Sequence, residues 1–172
     1  SIAQKAFEQI KEGETVFLDI STTNVLLAGL LAKGQKRCIV ISNMVDVLQT
    51  LATNPALTGI CTGGYVNLET NGYTGALTVS MLEQLRFDRA FFGAVGVDLD
   101  SGDVTTFDVD DGLVKSCVIK RARERYLVVD THKFKAGGNY CYARLSDFGT
   151  VITDSPSPAT KKALKALHVE CI

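Results

Sequence analysis

Val16-Phe17-Leu18-Asp19-Ile20-Ser21-Thr22-Thr23-Asn24-Val25-Leu26-Leu27 is the stretch that decides the fold, because it joins an apolar strand to an apolar helix through a turn crowded with hydroxyls. The amino end of a helix carries unpaired N–H groups and the positive end of the helix dipole. Hydroxyl donors at the same place would hold a phosphate or carboxylate without any Lys or Arg. The simpler interpretation is that Ser21, Thr22 or Thr23 only caps the helix.

Strand and helix patterns alternate along the rest of the chain. Strands are predicted at 15–19, 38–42, 57–61, 89–95, 126–130, 151–153 and 168–172, and helices at 3–10, 24–32, 44–52, 74–85, 110–123 and 158–167. Asn43 is the predicted cap of the third helix. This alternation predicts an α/β fold, Rossmann-like, with a mostly parallel sheet and helices on both faces. Segments 65–68 and 140–144 alternate differently and predict a small antiparallel annex.

Composition narrows the class of protein. The 172 residues fit one domain with a substantial core, since 46% are hydrophobic and 22% charged. A net charge of −1 argues against a broad nucleic-acid footprint, and no apolar run is long enough to span a membrane. Five cysteines without a Cys-x-x-Cys pair, and only two His, argue against a metal site and favour a reducing cytoplasm. Because the chain starts at Ser1 and not at Met, we expect processing or a longer parent protein.

Polar and glycine clusters follow nearly every predicted strand. They are Asp19–Thr23, Ser42-Asn43, Gly63-Gly64, Gly93–Asp98, Asp130–Lys133 and Thr153-Asp154. Ligands of parallel α/β sheets bind beyond the carboxyl ends of the strands, so these clusters predict a ligand site there. No Gly-x-Gly-x-x-Gly follows the first strand, which argues against a dinucleotide.

Several of these residues have a simpler interpretation. Lys115 would pair with a phosphate near the strand ends, or would form a surface pair with Asp111 at i,i+4 spacing. Gly63-Gly64 would admit a ligand to the backbone, or would only make a turn. His132 would act as a general base, or would be an ordinary exposed loop residue.

Taken in chain order, these segments resemble the C-terminal sensor domain of the DeoR family of bacterial transcriptional regulators. The matching segments are Asp19-Ile20-Ser21-Thr22-Thr23, Ser42-Asn43, Gly63-Gly64, Asp88-Arg89-Ala90-Phe91-Phe92-Gly93-Ala94-Val95-Gly96, Lys115, Asp130-Thr131-His132-Lys133-Phe134 and Thr153-Asp154. Three positions depart from the family pattern. Ser21 stands where the family usually has Gly, His132 replaces a small polar residue, and Ser42 replaces Thr.

The resemblance implies a fold related to ribose-5-phosphate isomerase and glucosamine-6-phosphate deaminase, used for sensing. It implies one sensor domain over residues 1–172 and a phosphorylated sugar as effector, with no cofactor or metal. Ser21, Thr22 and Thr23 would hold the phosphate. The sugar would be bound by Asp19, Asn43, Gly63, Gly64, Gly93, Gly96, Lys115 and Lys133. The family implies a homo-oligomer, a dimer or tetramer, that represses carbohydrate-metabolism genes. It would bind DNA only through an N-terminal helix-turn-helix domain, which nothing in this chain resembles.

Two alternatives to a sensor remain at this point. The first is an active sugar-phosphate isomerase or amino-sugar-phosphate deaminase, but the isomerases carry Asp-Gly-Ala-Asp after the fourth predicted strand. This chain has Val95-Gly96-Val97-Asp98 there, so the first acid is missing and no catalytic base is evident. We therefore expect no enzyme activity. The second alternative is an oligomerisation module with a vestigial pocket.

Overall fold

A computed structural model describes all residues from Ser1 to Ile172. The helices are α1 (Ile2–Gln9), α2 (Thr22–Lys33), α3 (Val45–Leu51), α4 (Ala76–Glu83), α5 (Val109–Ile119) and α6 (Pro158–Ala166). The strands are β1 (Thr15–Leu18), β2 (Cys38–Ser42), β3 (Leu57–Cys61), β4 (Tyr65–Asn67), β5 (Gly72–Thr74), β6 (Phe87–Phe92), β7 (Gly96–Val97), β8 (Asp103–Thr106), β9 (Ala122–Val128), β10 (Tyr140–Arg144), β11 (Thr150–Ile152) and β12 (Glu170–Cys171). Short 3-10 turns span Thr131–Lys135 and Leu145–Asp147.

Seven strands form one sheet in the order β12-β11-β9-β6-β1-β2-β3, and every pair in it is parallel. The predicted fold class is confirmed. β1 lies between β2 and β6, with Val16 opposite both Val40 and Arg89. From β1 the chain builds towards one edge through β2 and β3, then returns to the other side of β1 with β6. This reversal is a topological switch point, where open α/β sheets bind their ligands.

Side chains of the sheet alternate between two cores. Val16 and Leu18 of β1 face one core together with buried residues of α1, α2 and α3. Phe17 faces the other core, which Leu82 of α4, Val114 of α5 and Leu164 of α6 complete. Helices therefore pack on both faces of the sheet, as predicted, and the structure has three on each face.

The predicted antiparallel annex is present as two separate sheets. β4 and β5 form a hairpin, which is attached to the main sheet through a bridge between Met44 and Gly72. β10 pairs with β8, and β8 pairs with β7, so segment 140–144 does not pair with segment 65–68.

Several predicted element ends are wrong. The strand predicted at 89–95 spans Phe87–Phe92, and the strand predicted at 126–130 already begins at Ala122, because Phe87 and Ala122 pair at the start of the two strands. The helix predicted at 110–123 stops at Ile119, because the chain enters β9 at Ala122. The helix predicted from residue 74 begins after Gly75, whose φ of +98° breaks the strand–helix junction. Asn43 does not cap α3; the N-cap is Met44, and the Asn43 amide donates to the Tyr73 carbonyl at 2.9 Å. Separately, the helices are all too short or too polar to cross a membrane.

Candidate functional site

A cavity of about 220 Å³ opens at the carboxyl ends of β1, β6 and β9, at the switch point of the sheet. Its lining residues are Ile20, Ser21, Thr22, Thr23, Gly93, Ala94, Val95, Thr106, Asp111, Lys115, Val128, Val129, Asp130 and Lys133. Six of the predicted site residues therefore meet here. They are Ser21, Thr22, Thr23, Gly93, Lys115 and Lys133.

The start of α2 presents uncapped donors to this cavity. Ser21 occupies the N-cap position, but its side chain makes no capping hydrogen bond, and neither Thr22 nor Thr23 supplies one. The first backbone bond of the helix runs from the Val25 amide to the Ser21 carbonyl at 3.2 Å. The interpretation of these hydroxyls as helix caps is therefore wrong. Both the hydroxyls and the amides of this turn are available to an anion.

Gly93 allows β6 to approach this turn closely. A Cβ at position 93 would lie 2.8 Å from Ser21 Cβ and 3.0 Å from Ser21 Oγ, so any side chain there would displace Ser21. The Gly93 amide donates to both carboxylate oxygens of Asp19 at 3.1 and 3.0 Å. The Tyr142 hydroxyl donates to the Gly93 carbonyl at 2.7 Å. This glycine therefore fixes the wall of the cavity opposite α2.

A buried triad of charges forms the floor. Lys115 Nζ lies 2.5 Å from Asp19 Oδ2 and 3.4 Å from Asp111 Oδ2, and its side chain is only 3% exposed. Asp19 also accepts a hydrogen bond from Asn24 Nδ2 at 2.7 Å. Asp19 is itself only 1% exposed and does not line the cavity. It lies beneath Lys115 and holds the ammonium in place.

Burial sets the protonation of this triad. Loss of hydration raises the pKa of Asp19 to about 7, although the neighbouring Lys115 charge opposes the rise. Burial lowers the pKa of Lys115, but the charges of Asp111 and Asp19 outweigh it and the net direction is upward. Lys115 is therefore a cation at neutral pH, while Asp19 changes its charge near pH 7.

Lys133 brings a second cation to the cavity. The Asp130 side chain accepts from the His132 amide at 3.0 Å, and the Asp130 carbonyl accepts from the Lys133 amide at 3.1 Å. These bonds hold the 3-10 turn at the end of β9. Lys133 makes no ion pair within the chain, so its charge is free to meet an anion. His132 is exposed and outside the cavity, which supports its interpretation as an ordinary loop residue.

Five predicted sugar-binding residues lie outside the cavity lining, and their contact with a ligand stays a prediction. They are Asp19, Asn43, Gly63, Gly64 and Gly96. The structure gives two of the glycines a packing reason. A Cβ on Gly64 would come within 2.0 Å of Thr78 Oγ1, and one on Gly96 within 2.1 Å of the Ala136 carbonyl oxygen.

Two polar lining residues, Thr106 and Asp111, escaped the sequence analysis as ligand contacts, whereas Asp130 belongs to a strand-end cluster that predicted the site. Asp111 is the most informative, because it is 6% exposed and its Oδ1 has no hydrogen-bond partner. Its Oδ2 accepts from the Thr106 hydroxyl at 2.9 Å. The available signal was the i,i+4 spacing of Asp111 and Lys115, which predicts a pair but does not tell a buried pair from a surface pair.

The fold and the cavity together define an α/β ligand-binding domain. One end of its cavity carries hydrogen-bond donors suited to an anion, and the other end carries carboxylates. The family model described as the DeoR C terminal sensor domain matches residues 1–155 of the sequence. The chain belongs to the DeoR family, and the resemblance seen in its sequence is confirmed.

Two relatives are transcriptional regulators. The chain is 33% identical over 159 residues to the glycerol-3-phosphate regulon repressor of Escherichia coli (strain K12), covering 92% of this chain and 62% of that protein. It is 32% identical over 155 residues to the lactose phosphotransferase system repressor of Streptococcus mutans (strain ATCC 700610 / UA159), covering 89% and 60%. The chain thus spans about three fifths of the length of these relatives.

Among solved structures, ribose 5-phosphate isomerase A from Methanocaldococcus jannaschii superimposes with a TM-score of 0.54 at 18% identity. The match covers 77% of this chain and 52% of the isomerase. At this level of identity the comparison shows the fold, which agrees with the predicted relation to that enzyme.

Proposed function

We propose that this domain senses a small phosphorylated sugar or polyol, which binds in the cavity between α2 and Lys133. The observation that carries the proposal is the uncapped start of α2 beside an unpaired lysine. The amides and hydroxyls of Ser21, Thr22 and Thr23 would donate to the phosphate, while Lys133 would balance its charge.

The other end of the cavity suits hydroxyl groups. Asp111 and Asp130 offer carboxylate oxygens as acceptors, to which sugar hydroxyls would donate. Lys115 adds a positive charge beside them, although its N–H groups already face Asp19, Asp111 and the Ile20 carbonyl. A cavity of about 220 Å³ suits a phosphorylated metabolite of a few carbons better than a nucleotide.

The proposed role in the cell follows from the family and the relatives. Residues 1–172 act as the single effector-binding unit of a cytoplasmic repressor, whose DNA contacts come from a separate N-terminal helix-turn-helix domain. Both relatives named above are repressors, one of a glycerol-3-phosphate regulon and one of a lactose phosphotransferase system. A phosphorylated carbohydrate intermediate is the matching class of effector.

The domain binds its ligand without turnover. Val95 lines the cavity where the isomerases place an acid. Asp98, the next acid along, is exposed, and its Oδ1 accepts from the amides of Asp100 and Ser101 at 2.9 and 3.1 Å. The Ser101 and Asp100 amides hold the pKa of Asp98 below its usual range. A fully ionised surface carboxylate held in a turn is poorly placed to move a proton of a bound sugar.

A thermal-shift panel tests the proposal, with sugar phosphates and glycerol 3-phosphate compared against the same compounds without phosphate. We expect at least one phosphorylated member to raise Tm at millimolar concentration and its unphosphorylated form to leave Tm unchanged. The double variant Thr22→Val/Thr23→Val should weaken binding of that ligand at least about 100-fold, since two hydrogen bonds to a charged group are lost.

Two controls define failure. Thr58→Val changes an exposed threonine on β3 and should leave the ligand response intact. Sensing is excluded if no phosphorylated compound shifts Tm, or if the double variant responds like the wild type. Measurable turnover of ribose 5-phosphate or glucosamine 6-phosphate would exclude the non-enzymatic role.

A further inference from the structure

A large apolar surface lies outside the effector cavity, around the β4–β5 hairpin and the first turns of α4 and α5. Its members are large hydrophobic side chains between 47% and 90% exposed: Tyr65, Val66, Leu68, Leu77, Phe107, Val109 and Leu113. We call these seven residues the hairpin–α5 surface. Only three large hydrophobics elsewhere are exposed to a similar degree: Leu26, Ile39 and Leu167.

The hairpin–α5 surface is continuous. Asn67 Nδ2 of the hairpin donates to Asp108 Oδ2 at 2.9 Å, and the same Asp108 side chain caps α5 by accepting from the Asp110 amide. At the opposite end, a Cβ on Gly75 would lie 3.0 Å from the Tyr65 ring, which places Tyr65 over the start of α4. A shallow pocket lined by Gly75, Ala76, Val79, Asp110 and Leu113 joins α4 to α5. Hairpin and both helix starts are thus one surface.

The area of this surface matches one protein–protein interface. The two aromatic and five aliphatic side chains expose roughly 600 Å² of apolar area, given the usual sizes of such groups. A standard interface buries about 800 Å² on each partner, and a little over half of that is apolar. The largest apolar patch of a typical monomer is about 300–600 Å². The hairpin–α5 surface therefore has enough apolar area for a stable interface. Its apolar area also equals the largest that a typical monomer exposes to water.

The charges around the hairpin–α5 surface and the position of the amino end of the chain restrict which partner can cover this surface. Residues 62–85 contain no Lys or Arg, while Glu69, Asp108 and Asp110 border the surface. This acidic border repels DNA and anionic membranes. A segment preceding Ser1 would leave from α1, which packs in the core on the opposite face of the sheet from α4 and α5. Chain continuing from that end would therefore begin on the far side of the domain.

We propose that the hairpin–α5 surface is the contact between two copies of this chain, related by a two-fold axis. In such an isologous dimer each copy contributes the same patch, so the apolar areas cover each other while the acidic borders stay in water. This proposal is independent of the effector assignment, because none of the seven residues lines the cavity.

The test is the oligomeric state by sedimentation velocity from about 1 to 100 μM. We expect the wild type to form a dimer in this range and Leu68→Glu/Leu77→Glu to sediment as a monomer, with each substitution weakening association at least about tenfold. Leu26→Glu is the matched control, since Leu26 is a helical leucine 65% exposed against 66% for Leu77, and it should remain a dimer.

Folding of the variants is checked by far-UV circular dichroism and by Tm. Val66→Glu in the hairpin is a second single variant should the double variant fold poorly, and it should also weaken the dimer. A wild type that stays monomeric at 100 μM overturns the proposal and leaves the surface to a different partner. The proposal is equally overturned by glutamate variants that fold and still form the wild-type dimer. The thermal-shift response to sugar phosphates, measured on the same variants, reports separately on the effector site.

Discussion

Replacing Lys115 with Met tests the buried charge triad under the cavity. Met retains most of the apolar stem of the lysine but removes the ammonium between Asp19 Oδ2 and Asp111 Oδ2. Two carboxylates then share a region closed to water without a counter-charge. Removing one partner of a buried ion pair costs about 3–5 kcal/mol, and we expect the free energy of unfolding to fall by that amount at pH 9.

The loss of stability caused by Lys115→Met should depend on pH. The direction of this dependence follows from whether the folded or the unfolded state binds more protons. Burial gives Asp19 a pKa of about 7 in the folded protein, against about 3.9 in the unfolded chain. Such a carboxyl binds more protons in the folded state between these two values, so stability falls as pH rises through that window and levels off above it. Wild-type Asp19 is half ionised at pH 7 and almost fully ionised at pH 9, so it changes stability by only about 0.4 kcal/mol over this range.

Without Lys115 the pKa of Asp19 rises further, so the variant still takes up a proton in the folded state between pH 9 and pH 7. Each pH unit then changes its stability by at most about 1.4 kcal/mol. We therefore expect the penalty of Lys115→Met to be smaller at pH 7 than at pH 9, by up to about 2.7 kcal/mol over the two units.

Urea unfolding followed by circular dichroism at both pH values measures these differences. Lys135→Met removes the same charge from an exposed lysine in the neighbouring 3-10 turn and should change stability by less than about 0.5 kcal/mol. A loss below about 1 kcal/mol for Lys115→Met at pH 9 would refute the buried triad. An equal loss of stability at pH 7 and pH 9 would show that no buried carboxyl of the folded variant takes up a proton between these pH values.

Two further predictions concern the cavity wall and its link to the proposed dimer. Gly93→Ala should cost about 1–3 kcal/mol in urea unfolding, because its Cβ would lie 2.8 Å from Ser21 Cβ. Adding Ser21→Gly should recover most of that loss, and a double variant no more stable than Gly93→Ala would exclude the contact. If both proposals hold, the sugar phosphate that shifts Tm should also change the dimer dissociation constant. The reason is that α5 carries both sites: Asp111 and Lys115 line the cavity, and Val109 and Leu113 would contact the partner. Sedimentation with and without ligand measures this, and identical dissociation constants would show that α5 does not couple the two sites.

The parallel sheet was predictable because its strands are short buried apolar runs separated by helices with clear ends. β7 and β8 were not, since Gly96–Val97 and Asp103–Thr106 lie in a stretch rich in Gly and Asp whose pairing depends on β10 far along the chain. The end of α5 was missed for a related reason. Lys120, Arg121 and Arg123 are basic and suit a helix end, but pairing of Ala122 with Phe87 in the sheet ends the helix first.

The cavity was predictable in outline, because the rule that ligands bind at strand ends already selects Ser21, Gly93 and Lys133. The rule does not tell how deeply each strand-end residue is buried. Asn43 follows a strand just as Gly93 does, yet Gly93 lines the cavity, whereas the β4–β5 hairpin covers Asn43 and its side-chain amide bonds to Tyr73. Spacing along a strand or helix decides only which residues share a face, whereas tertiary packing decides whether that face meets water, a cavity or another element.

Ser21 shows how this chain adapts the phosphate turn that the family pattern implies. The family usually has Gly at this position, so Ser21 adds a Cβ and a hydroxyl at the mouth of the cavity. Room for that side chain exists because position 93 has no Cβ; the Ser21 Cβ fills the space where one would be. Since the Ser21 hydroxyl caps nothing and lines the cavity, it would be one more donor to the proposed phosphate. The substitution should therefore narrow the cavity and strengthen phosphate binding together, which favours small ligands with an unhindered terminal phosphate.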